Sequence, residues 1–344
     1  MNNKINILFL WNPEDELLNH LKAGLKNFEN LQFNVCDKNT SEEDAKKYYA
    51  RANIIIGWRP SEEHIKTAEN LKLFINPGAG VKHLINLFQE LNKERKITLV
   101  NGHGNSYFTA QHGVALLLAL LNKITLHHNW MKEGRWRLGD NEAASIPLRD
   151  RKIGLLGYGA INKKIHKFIL GFDVEFHLLK RSWSEDENDF IIPAKKYIPT
   201  QLTEFLTTID ILIIALPETE ETKNLIGEKE LNSLGKNGLV VNIGRGDVVN
   251  EESMYNALKE NNIAGAAIDV WYNYNPTPHE NGRKYPYNFH KFPFHELDNI
   301  ILSPHRAASP FDDLKRWDEV IENIKRFANG EEKFLNTVNL EKGY

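Results

Sequence analysis

Short apolar runs rich in Ile, Val and Leu recur along this chain, and most are apolar on both faces. Ile5–Trp11, Asn53–Ile56 and Leu73–Ile75 are the runs of the first stretch. A second series follows Lys152: Ile153–Leu156, Glu175–Leu179, Ile209–Leu216, Leu239–Ile243, Ala264–Val270 and Ile300–Leu302. A strand with no polar face has to be covered on both sides, and the helix-like segments between the runs supply the cover. The pattern therefore predicts parallel sheets in an α/β fold. With 344 residues, and roughly 150 per domain, two domains are expected.

Three segments interrupt the alternation. Residues 109–126, TAQHGVALLLALLNKITL, are too long and apolar for a strand and read as a buried helix, with Gly113 allowing close packing. Asn250-Glu251-Glu252 is an N-cap with acidic residues in the first turn, opening a helix that ends near Asn261. Residues 272–297 mix Pro, Asn, His and aromatics without period and read as a long functional loop.

Composition narrows the function classes. Lys and Arg number 43 against 46 Asp and Glu, a net charge of −3, which gives no reason to expect nucleic acid or an anionic membrane. The single cysteine, Cys36, can form neither an internal disulfide nor a thiolate metal site. His279, His290 and His295 lie at spacings that fit no familiar ligand pattern, so no metal is expected. No apolar run approaches the ~18–20 residues of a membrane span. The start, MNNKINILFL, does not read as a signal peptide, and a cytoplasmic protein is expected.

Gly157-Tyr158-Gly159-Ala160-Ile161-Asn162 lies between a strand candidate and a helical stretch, the setting of a dinucleotide phosphate loop. Gly157 suits the tight turn, and Gly159 lets backbone approach a pyrophosphate at the helix N-terminus. Asn162 stands at the third glycine position and is expected to loosen helix–strand packing. A plain glycine turn is the alternative. At the end of the next strand, where NAD sites usually carry an acidic residue, stand Lys180-Arg181-Ser182. Two cations and a hydroxyl suit a 2′-phosphate, so NADP is expected, with NAD possible. The alternative there is a solvated charged loop.

The ordered set of motifs resembles the D-isomer-specific 2-hydroxyacid dehydrogenases, a superfamily that includes formate dehydrogenase and the glyoxylate/hydroxypyruvate reductases. The resemblance is carried by Gly78-Ala79-Gly80, by Ala110-Gln111-His112 (usually Ala-Glu-His), and by the glycine loop. It continues through Leu216-Pro217-Glu218-Thr219 to Thr222, Leu225-Ile226 and Asn242-Ile243-Gly244-Arg245-Gly246. Gly265–Val270, Ser303-Pro304-His305 and the tail Asn336–Tyr344 complete it. It implies two doubly wound parallel-sheet domains, a Rossmann cofactor domain (residues 106–306) inserted into a flavodoxin-like substrate domain (1–105 and 307–344). The active site would lie between them. Family members are commonly dimers through the long helix and an adjoining arm, which here holds Trp130 and Trp136; on their own these tryptophans read as core.

Carried over residue by residue, the resemblance makes His305 the acid–base and Arg245 the cation that holds the substrate carboxylate. Ala79 and Gly80 would grip the same carboxylate through their amides, and Asn105 would lie near substrate. The cofactor residues would be Gly157, Tyr158, Gly159, Ala160, Ile161, Lys180, Arg181, Ser182, Pro217, Ile243 and Asp269. Asp269 also reads as a buried capping carboxylate. One departure matters. Where the family has a glutamate that keeps the histidine protonated, five residues after Asp269, this chain has Tyr274. Glu280 or Glu296 from the long loop is the candidate substitute, and a lowered His305 pKa is expected.

The expected activity is NADPH-dependent reduction of a small 2-keto acid such as glyoxylate or hydroxypyruvate to the D-2-hydroxy acid. Two alternatives stand beside it. A formate dehydrogenase also lacks the glutamate, but usually uses NAD, against Lys180-Arg181. A nicotinamide-binding regulator without turnover, as in the C-terminal-binding-protein corepressors, is favoured by Tyr274 and Asn162.

Overall fold

All strand pairs among the described residues run parallel, in two separate sheets. The structure is a computed structural model and describes residues 4–136, 144–183, 193–308 and 313–344. The chain divides into two units, Met1–Asn105 with Pro310–Tyr344, and Ser106–Ser309.

The first unit is built on β1 (Ile5–Phe9), β2 (Leu31–Val35), β3 (Ile54–Ile56), β4 (Leu73–Asn76) and β5 (Thr98–Asn101). Their order is β2-β1-β3-β4-β5, the flavodoxin-like arrangement. Both faces are apolar, as the sequence requires. Leu8, Ile55, Phe74 and Leu99 pack on one side, and Ile7, Phe9, Ile54, Ile56, Leu73 and Ile75 on the other.

The second unit holds β6 (Lys152–Leu156), β7 (Glu175–Leu179), β8 (Ala194–Tyr197), β9 (Ile211–Ile214), β10 (Leu239–Asn242), β11 (Gly265–Ile268) and β12 (Ile300–Leu302). Their order is β12-β11-β10-β9-β6-β7-β8. Read from β6 this is the Rossmann order with one strand added, and the direction of winding reverses at β6. Ligands of such sheets bind beyond the carboxyl ends of the strands at that reversal.

The helix expected over 109–126 is two helices, Ser106–Leu121 and Ile124–Lys132. The Asn122 side chain donates to Leu118 O at 2.9 Å, and Lys123 adopts a left-handed φ of 51°, which ends the first helix. Gly113 acts as expected: a Cβ there would meet Ile243 Cδ1 at 2.7 Å. Ile124–Lys132 buries no residue, and Trp136 is 70% exposed, so these tryptophans do not form core as their side chains alone suggest. Asn250 caps Glu251–Lys259 by accepting from Ser253 N. Among the described residues, no helix is long and apolar enough to cross a membrane.

Candidate active site

The glycine turn follows β6 directly. Gly157 has φ +85°, open only to glycine at low cost, and a Cβ there would strike Leu216 and Ala215 O. Gly159 caps the helix Ala160–Phe168, and a Cβ on it would meet nothing within 4 Å. Backbone amides at a helix start, beside open space, form a cradle that fits a phosphate group. Ala160 and Ile161 make the first helical turn, half-buried. Tyr158 turns inward, 6% exposed, with its hydroxyl 2.7 Å from His166 Nδ1.

Asn162 does the opposite of what its departure from glycine suggests. It is fully buried, and its Nδ2 lies 3.0 Å from Gly157 O, 3.2 Å from Leu156 O and 3.4 Å from Ile213 O. The amide ties the helix to two strand ends, so the packing is bridged rather than loosened.

At the end of β7, Lys180, Arg181 and Ser182 are half-buried to exposed. Lys180 Nζ sits 5.5 Å from the Trp183 ring, and Lys196 Nζ lies 5.1 Å from the same ring. Trp183 is fixed by Nε1 donating to Tyr197 O at 3.0 Å. Arg181 is paired with Glu221. Lys196 is a cation that sequence reading missed, because β8 (AKKY) carries no apolar run.

The reacting end is built where β9 to β12 finish. Beyond β10, Ile243 is buried under Gly113, and Arg245 stands between two glycines that backbone contact requires. A Cβ on Gly244 would reach Leu216 N and O at 2.8 Å, and one on Gly246 would reach Trp271 O at 2.2 Å. Asn242 holds the turn, accepting from Gly244 N at 3.2 Å and donating to Arg245 O at 3.1 Å. The Arg245 guanidinium donates to Gly244 O at 2.7 Å. Beyond β9, Pro217 O accepts from Thr222 Oγ1 at 2.7 Å.

Asp269, beyond β11, is 1% exposed and filled with donors from the protein. It accepts from Ser303 Oγ, from Arg306 N at 2.8 Å and from Ala307 N at 3.0 Å. His112 Nε2 lies 3.6 Å from its Oδ1 and 2.9 Å from Ser303 Oγ. Burial alone would raise the Asp269 pKa, but bonds from His112, Ser303, Arg306 and Ala307 outweigh it and hold the carboxyl ionised below its ordinary range. The capping reading is the one the geometry displays.

That clamp surrounds His305, which takes a left-handed φ of 54°. Its Nδ1 lies 2.8 Å from Tyr274 Oη, and the two rings meet edge to face at 5.2 Å. Lost hydration lowers the His305 pKa; Arg245 pushes the same way, and Asp269 opposes. Neither candidate substitute, Glu280 or Glu296, contributes to the shift of His305. Both are exposed on the loop, and the charges acting on His305 are Asp269 and Arg245. Tyr274 Oη accepts from Trp271 N at 3.3 Å, and burial raises its pKa, so the phenol is neutral.

The long loop that carries Tyr274 is packed on its own aromatics. Tyr287 and Phe294 are buried, and Trp271 donates to Ser303 O at 2.8 Å. His279 and His295 lie against Tyr285 and Phe289 within that cluster. In the first unit, Ala79 and Gly80 are exposed after β4, and Asn105 precedes the helix Ser106–Leu121.

A Rossmann-ordered sheet with a glycine cradle at its reversal point defines a dinucleotide-binding α/β domain. The family model of the D-isomer specific 2-hydroxyacid dehydrogenase NAD binding domain matches residues 114–307, more than half of the chain, and the chain belongs to that family. It is 30% identical over 275 residues to D-3-phosphoglycerate dehydrogenase of Archaeoglobus fulgidus, covering 78% of this chain and 47% of that protein. The chain thus spans about half the length of that relative. It is 27% identical to glyoxylate/hydroxypyruvate reductase HPR3 of Arabidopsis thaliana, over 81% of this chain and 80% of the relative. The fold matches the D-isomer specific 2-hydroxyacid dehydrogenase from Xanthobacter autotrophicus Py2, in complex with NADPH and MES. That match has a TM-score of 0.77 at 22% identity and covers 99% of this chain and 100% of the other.

Proposed function

We propose that this chain reduces a small 2-keto acid, of the glyoxylate or hydroxypyruvate type, to the D-2-hydroxy acid with NADPH. The observation that carries the reading is the placement of Arg245 and His305 beyond β10 and β12 of one sheet, close enough for the Arg245 charge to act on His305. Arg245 holds the substrate carboxylate through its planar fork, and His305 delivers a proton to the carbonyl oxygen through Nε2. Tyr274 orients the ring from Nδ1, and Asp269 fixes the backbone that follows it and the Ser303 hydroxyl that precedes it. Ala79, Gly80 and Asn105 keep the substrate-side roles that the family resemblance gives them.

When bound, the nicotinamide supplies the hydride for C2. With Gly157 and Gly159 shaping the turn, the amides of Ala160 and Ile161 would hold the dinucleotide's pyrophosphate, and Lys180, Arg181, Ser182 and Lys196 a 2′-phosphate. The named activity of the plant relative and the NADPH of the Xanthobacter structure support the choice. Exposed Ile124, Met131 and Trp136 support a homodimer through the helix Ile124–Lys132.

The test is oxidation of NADPH by the purified chain against a panel of 2-keto acids, followed by loss of reduced-nicotinamide absorbance. Turnover with glyoxylate or hydroxypyruvate is expected. Binding of NADPH with no turnover on any member would overturn the reading.

A further inference from the structure

The loop after β4 has its carbonyls drawn into the protein by two buried asparagines. Asn76 Nδ2 donates to Gly78 O and lies 3.3 Å from Gly80 O. Asn101 Nδ2 donates to Ala79 O at 2.8 Å, and Gly102 N adds a bond to Gly78 O at 3.2 Å. Asn76 and Asn101 are the last residues of β4 and β5 and are partners in the sheet register. They are 0% and 9% exposed.

Peptide geometry turns these bonds into a statement about the amides. Gly78 O and Ala79 N–H belong to one peptide plane, and Ala79 O and Gly80 N–H to the next. In a trans peptide the two groups point in opposite directions, and the chain holds no cis bond among the described residues. Pinning the Gly78 and Ala79 carbonyls inward therefore points the Ala79 and Gly80 N–H groups outward. Neither N–H meets a protein acceptor among the described residues, and both residues are exposed. The back of the loop is closed: a Cβ on Gly102 would lie 2.3 Å from Pro77 O.

Asn76 carries a further sign. With its Nδ2 committed to the loop, its Oδ1 is buried without a hydrogen-bond partner among the described residues. An apolar residue would avoid that cost. What the amide gains in this place is its contact with the two carbonyls.

We infer that Asn76 and Asn101 are positioning residues that set the Ala79 and Gly80 amides as a receptor for a carboxylate. Adjacent outward amides form an anion-binding concavity with no formal charge of its own. The inference rests on the keto-acid reading for its ligand, and its test is separate from turnover.

Oxalate is the probe, titrated into the full chain by calorimetry, with NADPH affinity measured on each variant as the control for folding. Asn101→Ala and Asn76→Ala are expected to weaken oxalate about fivefold or more and leave NADPH unchanged. In turnover, the loss appears in KM for glyoxylate and not in kcat, a split that general loosening of the fold would not produce. Should Asn76→Ala fail to fold, Asn101→Ala at the rim decides. Unchanged oxalate affinity in Asn101→Ala, or no oxalate binding by the native chain, overturns the receptor. A native chain that binds oxalate but reduces no keto acid overturns the proposed activity and leaves the receptor standing.

Discussion

Tyr274 Oη lies 2.8 Å from His305 Nδ1 while accepting from Trp271 N at 3.3 Å. With the Trp271 N–H on its oxygen, the neutral phenol is set to donate its own proton to Nδ1. That leaves Nε2 to carry the hydrogen of the neutral ring. The arrangement favours the uncharged imidazole, where a carboxylate at the same place would favour the cation.

Reduction needs the protonated ring, so kcat/KM is flat below the His305 pKa and falls as pH rises through it. Lost hydration and Arg245 lower that pKa, which places the fall on the acid side of the ordinary histidine value. Tyr274→Glu reverses the local sign and is expected to move the fall to higher pH by ~1–3 units. The measurement is kcat/KM for glyoxylate across pH. An alkaline limb that stays in place in Tyr274→Glu means the 274–305 contact has no part in proton delivery.

Arg245→Gln is expected to act twice. Loss of the charged fork, roughly 1.5–3 kcal/mol, raises KM for the keto acid some tenfold to a hundredfold. The same change removes a cation that disfavours protonated His305, so the alkaline limb moves up in pH. Arg245→Lys keeps the charge but not the fork; it should raise KM and leave the limb near its native place. A KM effect equal in both variants, with no shift of the limb in Arg245→Gln, would contradict this division of roles.

The sequence carried the interior of each sheet and lost three of the four edges, β12 being the edge that was read. Every strand read from apolar runs exists, and five of the nine are shorter than read, because residues such as Ala215, Leu216 and Ile243 belong to the turns beyond the ladder. The strands not read are β2, β5 and β8, each at the edge of its sheet. An edge strand has one neighbour, and sequences such as LQFNV and AKKY need not be apolar. At the proposed site, Gly157, Arg245 and His305 were visible because glycine spacing and strand-end position mark them. Asn76, Asn101 and Lys196 were not: a lone asparagine or lysine has no period, and their meaning comes from what β4, β5 and β8 set beside them. Glu280 and Glu296, for which the sequence offers no spatial signal, stand exposed on the loop.

The basic cluster after β7 predicts a measurable cofactor preference. Arg181→Ala is expected to raise KM for NADPH about tenfold while leaving NADH nearly unchanged, since only the former carries a 2′-phosphate. Arg181 is shared with Glu221, which stands where it competes with an incoming anion for the guanidinium. Glu221→Gln should therefore lower KM for NADPH. Equal KM values for the two cofactors in the native chain, unaltered by Arg181→Ala, would remove the 2′-phosphate assignment.

His166 makes stability depend on pH through the same helix that follows the glycine turn. It is 2% exposed, packs on Phe176 with ring centroids 4.0 Å apart, and has its pKa pushed down to about 4 by burial. The unfolded chain takes up this proton near pH 6.5 and the folded chain only near 4, so folding stability is full above the first value. It is lost progressively as pH falls between the two, by of order 2–3 kcal/mol for this group alone. His177, also buried and also lowered by lost hydration, adds a loss of the same sign. His166→Phe gives up the hydrogen bond to Tyr158 and should be less stable at neutral pH, yet its urea midpoint should fall less steeply from pH 7 to pH 4.5. Parallel pH profiles for native chain and variant would show that His166 is protonated in the folded state as readily as in the unfolded one.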